Sequence, residues 1–348
     1  MRAALKRCAA AAAPALGRAA AHVAQALGPV SRVAAALLFC LLTASYAHAQ
    51  STHLIIVVGL PGDPEHGELF TKWGTTLAAT ATDRLGIPRD HVTLLQGEQA
   101  TRQAVEKALG ALAARAGADD TVAIVLFGFG TYANRVAKFN LPGPDMTPDD
   151  FAAPLARVQS KRVIFVDTTS ASGPFIETLS RPGRVIVTAT RTGAEVYATL
   201  FGGFFVDAFS RDAADADHDG KVSILEAFDY ARKTVAATYQ REGLLPTEHA
   251  LLDDNGDKEG SLEPSRDGKD GAAASVLALG ALHAEALPAD EKLRALYLER
   301  QDLERRIDSL KLLKGGMDPD KYAAELEKLA TDLALKTRQI RQAEGKDQ

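Results

Sequence analysis

The chain of 348 residues contains two cysteines, Cys8 and Cys40, and both fall in its first 49 residues. From residue 50 onward there is no thiol. That part of the chain therefore holds no disulfide framework, no cysteine nucleophile and no thiolate metal site. The first 49 residues lack something else: they carry five basic residues (Arg2, Lys6, Arg7, Arg18, Arg32) and no acidic one. Histidine pairs at metal-ligand spacing are missing, so His53, His66, His91, His218, His249 and His283 read as packed or solvated side chains. There is no Gly-x-Ser-x-Gly elbow and no glycine-rich loop ending in Lys-Ser/Thr. Gly128-Phe-Gly130 reads as a tight turn, and the one tryptophan, Trp73, as a core residue.

What is present begins with an apolar run from Val33 to Tyr46, followed by Ala47-His48-Ala49. Behind a basic segment this reads as a secretory signal peptide over residues 1–49, cleaved at the A-x-A site. The run is short of the roughly 18 residues that span a bilayer, so no stable membrane span is expected after cleavage. Export to the periplasm or the exterior is the expected localisation. Removing five basic and no acidic residues takes the formal net charge from −5 to −10, which argues against a nucleic-acid partner.

The stretch Asp215 to Glu226 reads Asp-Ala-Asp-His-Asp-Gly-Lys-Val-Ser-Ile-Leu-Glu. Its spacing is that of a twelve-residue EF-hand calcium loop, with Asp215, Asp217 and Asp219 at positions 1, 3 and 5 and Gly220 at the turn. The Lys221 carbonyl follows at position 7, then Ser223 at 9 and Glu226 at 12. Ca²⁺ takes about 6 to 8 oxygen ligands, and this alternation can supply them once glycine lets the chain turn back. Val222 should point into the core. Both flanks carry apolar residues at helical spacing: Leu200, Phe201, Phe204, Phe205, Ala208 and Phe209 before the loop, Ile224, Ala227, Phe228, Ala231, Val235 and Tyr239 after it. A second acidic turn, Asp253-Asp-Asn-Gly-Asp257, has Pro264 where a twelfth-position glutamate belongs and reads as a turn.

Short β-branched runs at Leu54–Gly59, Val92–Leu95, Val122–Phe127, Val163–Val166 and Val185–Ala189 alternate with helical patterns at Leu69–Leu85, Thr101–Arg115 and Pro148–Val158. The expected class is α/β, a mostly parallel sheet flanked by helices. In such sheets functional groups gather at the carboxyl ends of strands, here Gly59–Asp63, Phe127–Thr131 and Asp167–Gly173.

Those strand ends, with the Leu-Phe-Gly-x-Gly-Thr turn (Leu126–Thr131), the Ser-Gly turn at Ser172-Gly173 and the segment Thr188-Ala-Thr-Arg-Thr-Gly193, resemble the caspase-like fold of the legumain clan of cysteine peptidases. The resemblance covers roughly His53 to Ala231. It implies a catalytic His between the two glycines and a Cys just before the Ser-Gly. Here Phe129 stands at the His position and Ser170, or Thr169 by the other count, at the Cys position. The expectation is a catalytically inactive, pseudoenzyme relative serving as a binding or scaffolding module. The alternative is a serine-dependent hydrolase using Ser170, which would need a base beside it. Asp167 to Ser172 otherwise read as strand-end and turn hydrogen-bonding residues.

Residues 50–252 are thus expected to form the α/β domain with the embedded calcium loop, and 253–286 a polar linker. Residues 287–345 carry Leu293, Leu296, Leu303, Ile307 and Leu310, then Tyr322, Leu326, Leu329, Leu333 and Ile340, at spacings of three, four and seven. That predicts a C-terminal helical hairpin or coiled coil, available to a protein partner or to a second copy of the chain.

Overall fold

Runs such as Leu54–Val58 and Val122–Phe127 have no polar residue to turn toward water, so they fold as strands covered on both faces. In the computed structural model, which describes residues 51–210, 214–217, 219–281, 290–312 and 318–343, they are β1 (Thr52–Val58) and β3 (Thr121–Phe127). The predicted signal peptide lies outside the described residues. In chain order the other elements of the first half are α1 (Pro64–Asp83), β2 (Val92–Leu95), α2 (Arg102–Arg115) and the hairpin β4 (Gly130–Ala133) and β5 (Val136–Phe139). Then come α3 (Pro148–Leu155), β6 (Arg162–Asp167), α4 (Phe175–Leu179) and β7 (Arg184–Thr188). The second half holds α5 (Phe201–Ser210), β8 (Lys221–Ser223), α6 (Ile224–Glu242), β9 (Leu251–Asp253), β10 (Ala278–Ala281), α7 (Glu291–Leu312) and α8 (Pro319–Ala343).

The six-stranded sheet runs β2-β1-β3-β6-β7-β9. Five strands are parallel, and β9 closes the edge antiparallel to β7. This is an α/β fold with a mostly parallel sheet between helices. Alternation along β1 divides the core into two. Leu54, Ile56 and Val58 join Phe70 and Leu77 of α1, Phe201 and Phe205 of α5 and Phe228 of α6. Ile55 and Val57 face the other way, onto Leu109 and Leu112 of α2, Phe151 of α3 and Phe175 of α4. Each fully buried Leu, Ile or Phe is worth roughly 1.5 to 3 kcal/mol, so these two layers hold both the strand ends and the helices α5 and α6 in place.

The stretch 253–281 corrects the linker expectation. It is built into the body, because three of its carboxylates, Asp253, Asp254 and Asp270, are buried and take up backbone donors. Asp254 accepts from Gly271 N at 2.9 Å and Ala274 N at 2.8 Å. Asp270, with no exposed surface, accepts from Asp254 N at 3.3 Å and from the Ser261 hydroxyl. Polar composition reads as solvation, but here the acids are the internal framework of a folded loop. The rest of the expected linker, 282–286, lies outside the described residues.

α7 and α8 form a helical hairpin with its own core: Leu303 and Leu310 against Leu329, flanked by Ile307, Tyr322, Leu326 and Leu333. Lys336 of α8 pairs with Glu299 of α7. Among the described residues no helix is long and apolar enough to cross a membrane.

Candidate metal centre

The acidic loop hangs between two helices whose positions are set by the core. Phe205 and Phe209 of α5 and Ile224 and Phe228 of α6 are all 1% exposed or less, and Val222, inside the loop, is buried with them. The loop ends are therefore held by apolar packing. Gly220, at φ 80°, makes the reversal that an L side chain would resist.

Within that frame Asp215, Asp217 and Asp219 each offer a carboxylate oxygen, and the three atoms lie within 4.8 Å of one another. The backbone shapes the cluster. Asp219 N–H donates to Asp215 Oδ1 (3.2 Å) and Asp217 Oδ1 (3.3 Å), Gly220 N–H to Asp215 Oδ2 (3.1 Å), and Lys221 N–H to Asp219 Oδ1 (2.8 Å). Desolvation, with Asp217 and Asp215 close by, pushes the Asp219 carboxyl above its ordinary value. The Arg266 guanidinium lies 3.6 Å from Asp217.

Glu226 reaches back over the start of the loop, accepting from Ala216 N–H at 2.9 Å and Asp217 N–H at 3.3 Å. Its other oxygen accepts from Ser223 N–H and the Ser223 hydroxyl, both at 2.8 Å, and Ser223 Oγ in turn accepts from Glu226 N–H. This is a capping box at the N-terminus of α6. Of the six expected ligands, three carboxylates converge, Glu226 is folded toward them, and Ser223 serves as a helix cap. Lys221 lies in β8, which pairs antiparallel with β10. The donor set is all carboxylate and carbonyl oxygen on a glycine turn, which fits a hard divalent ion such as Ca²⁺.

The second acidic turn is neutralised from within. Lys269 Nζ sits 2.9 Å from Asp257 Oδ2 and 2.7 Å from Glu259 Oε2. An ammonium group thus stands where a cation would be needed.

At the carboxyl ends of β3 and β6 the two turns singled out by the resemblance meet. Ser170 Oγ accepts from Gly130 N–H at 3.1 Å and donates to Gly130 O at 3.0 Å, and Ser170 is 1% exposed. A Cβ on Gly130 would lie 2.2 Å from Ser170 O, so the two backbones are in direct contact. Phe129 fills the neighbouring space, its ring 5.6 Å from Phe70 and 5.2 Å from His66. Asp167 is fully buried; its Oδ1 accepts from Thr169 N–H (3.0 Å) and Oγ1 (2.7 Å), while Oδ2 has no partner. Burial pushes this carboxyl up to about 6.

Sequence reasoning passed over one pair here. His66 Nδ1 lies 2.7 Å from Asp63 Oδ2, and Asp63 also caps α1 through His66 N–H. The signal was the Asp-Pro-x-His spacing at a helix start. Glu248 was also missed: its carboxylate caps the N-terminus of α5, accepting from Leu200 N–H at 2.8 Å and Phe201 N–H at 3.1 Å.

Layers and strand order define an α/β protein with a mostly parallel sheet. No family model and no curated protein matches the chain. Among solved structures it is similar to protein GSU0716 from Geobacter sulfurreducens, at 14% identity over 59% of this chain and 94% of that one, with a TM-score of 0.43.

Proposed function

We propose that this is an exported calcium-binding protein whose α/β body, a catalytically inactive caspase-like domain, acts as a binding or scaffolding module. The observation that carries the reading is the convergence of Asp215, Asp217 and Asp219 within 4.8 Å on a glycine turn. The loop is held between α5 and α6, so an ion bound there would tie two core helices together and relieve the repulsion of crowded carboxylates. When bound, the ion supplies positive charge and a coordination shell. The chain's part is to hold the three aspartates, to bring Glu226 across the loop and to keep Val222 in the core. Export rests on the basic, apolar and A-x-A pattern of residues 1–49, and millimolar Ca²⁺ outside the cytoplasm suits a structural site.

The non-catalytic reading of the strand ends is supported by Ser170 and Phe129. Among the described residues Ser170 Oγ bonds to Gly130 N–H and Gly130 O, and no titratable side chain bonds to it. The serine-hydrolase alternative gains no support from that arrangement. The α7–α8 hairpin is the part offered to a protein partner or a second copy. The test is thermal unfolding in EGTA and in millimolar Ca²⁺. At about 5 mM Ca²⁺ and a Kd of roughly 10⁻⁴ to 10⁻³ M, a folded-state site adds about 1 to 2 kcal/mol, a rise of a few degrees. A midpoint indifferent to Ca²⁺ overturns the reading.

A further inference from the structure

A second concavity, apart from the acidic loop in its lining residues, lies at the edge strand β2. There α2 covers β1 fully but β2 only in part. Ile55 and Leu112 are buried, whereas Leu95 and Ala108 stay half-exposed. The uncovered strip is a groove of about 450 Å³ between β2 and α2, floored by Ile55, Leu95 and Leu112 and walled by Ala104, Ala108 and Ala111. The alanines recur at helical spacing, so the wall that α2 turns to the groove is short-sided and leaves room. A concave, mostly apolar site of this size with a few polar groups at one end is the ordinary form of a small-molecule pocket.

Two of the lining side chains, Lys107 and Arg115, carry fixed positive charge. His91 and His53 line the groove beside them, the His53 imidazole held below its ordinary value by burial, against one carboxylate, Asp90. This is a local excess of basic groups on a chain whose formal net charge is −5. Register explains how they meet: Leu54 pairs with Val92, so His53 and His91 are cross-strand neighbours, and their rings stack at 4.2 Å. His53 Nε2 is backed by Asp120 at 3.4 Å. His91 Nδ1 donates to Thr52 O at 3.2 Å, and its Nε2 lies 3.8 Å from Asp90 Oδ2. The Arg115 guanidinium donates to the backbone carbonyl of Asp90, which holds it at the same end. Lys107 stands two turns earlier on α2, on the face that carries Ala111 and Arg115.

We propose that this groove binds a small amphiphilic carboxylate. Its head group is held at the Arg115–His91 end and its apolar chain runs along Leu95, Ala108 and Ala104. Arginine suits the head because its planar fork matches a carboxylate. Burial of the chain supplies affinity, and the basic rim selects the sign of the head.

The experiment is calorimetric titration of the protein with monomeric decanoate, and with decyltrimethylammonium and acetate as probes of sign and of tail. Saturable decanoate binding is expected, with neither control binding comparably. Arg115→Gln should weaken decanoate about tenfold or more and Arg115→Lys much less, because a cation remains. Ala108→Leu, which fills the groove without touching the charges, should weaken it as well. Thermal midpoints check that each variant is folded. Absence of saturable decanoate binding, equal binding of the ammonium amphiphile, or unchanged affinity in folded Arg115→Gln and Ala108→Leu would overturn the proposal. None of these outcomes depends on Ca²⁺, so its failure would leave the acidic-loop reading untouched.

Discussion

Glu226, at the twelfth position of the acidic loop, accepts a hydrogen bond from the backbone N–H of Ala216, at the second, over 2.9 Å. The loop is thus closed upon itself by the residue expected to be its strongest ligand. Glu226→Gln keeps an acceptor oxygen and removes the charge. The expected result is a fold of nearly unchanged stability in EGTA and a Ca²⁺ affinity reduced about tenfold or more, which is roughly 1.4 kcal/mol. Glu226→Ala also breaks the capping box with Ser223 and should cost about 1 kcal/mol even without the ion. Urea unfolding of both variants in EGTA separates the two effects.

Two hydrogen bonds join Ser170 Oγ to the backbone of Gly130. Ser170→Ala leaves a buried N–H and a buried carbonyl without their partner, at a cost of about 1 to 3 kcal/mol. Gly130→Ala should cost at least as much, since its Cβ would lie 2.2 Å from Ser170 O. Chemical denaturation checks both, and a stability of Gly130→Ala equal to wild type would show that the two turns are not packed as described.

Asp167 ties stability to pH. Its folded-state value, about 6, stands above its ordinary 3.8, so the folded protein holds this proton more tightly than the unfolded chain does. The contribution is fully present below the ordinary value and is lost as pH rises toward about 6 and beyond. Its size is on the order of 3 kcal/mol. Asp167→Asn keeps an acceptor for Thr169 and cannot ionise. Relative to wild type it should gain stability between pH 4.5 and 7.5, read from denaturation midpoints at the two pH values; parallel profiles would contradict the assignment.

The stretch 253–281 should resist limited proteolysis, because Asp254 and Asp270 bind its own backbone. Asp254→Ala removes acceptors for Gly271 and Ala274 and should open the segment to cleavage before the rest of the body. Early cutting of the wild type between 253 and 274 would restore the linker reading.

Strands and helices of the first half were legible because unbroken β-branched runs and helical spacings are local signals, and β1, β2 and β3 fall within two residues of where the sequence places them. The acidic loop was legible for the same reason, its six candidate donors falling within twelve consecutive residues. Glu248 capping α5, His91 stacking on His53 and Asp254 folding the 253–281 segment were not. Each depends on a partner brought up by tertiary structure, 48 residues away for Glu248 and Leu200. Composition misled at 253–281 because Asp and Gly signify a solvated turn unless the carboxylates find buried donors. Lys269 was silent for a like reason: nothing in its neighbours' identity tells that its ammonium will close the Asp257–Glu259 turn.

The central claim is that the loop from Asp215 to Glu226 binds Ca²⁺, and equilibrium dialysis against radioactive Ca²⁺ tests it most directly. Wild type should bind one ion per chain in the range of roughly 10⁻⁴ to 10⁻³ M usual for extracellular modules. Asp219→Asn and Glu226→Gln should weaken that binding about tenfold or more, and Asp257→Asn, in the turn closed by Lys269, should leave it unchanged. No bound ion at several millimolar Ca²⁺, or an ion lost with Asp257→Asn and kept with Asp219→Asn, would contradict the account.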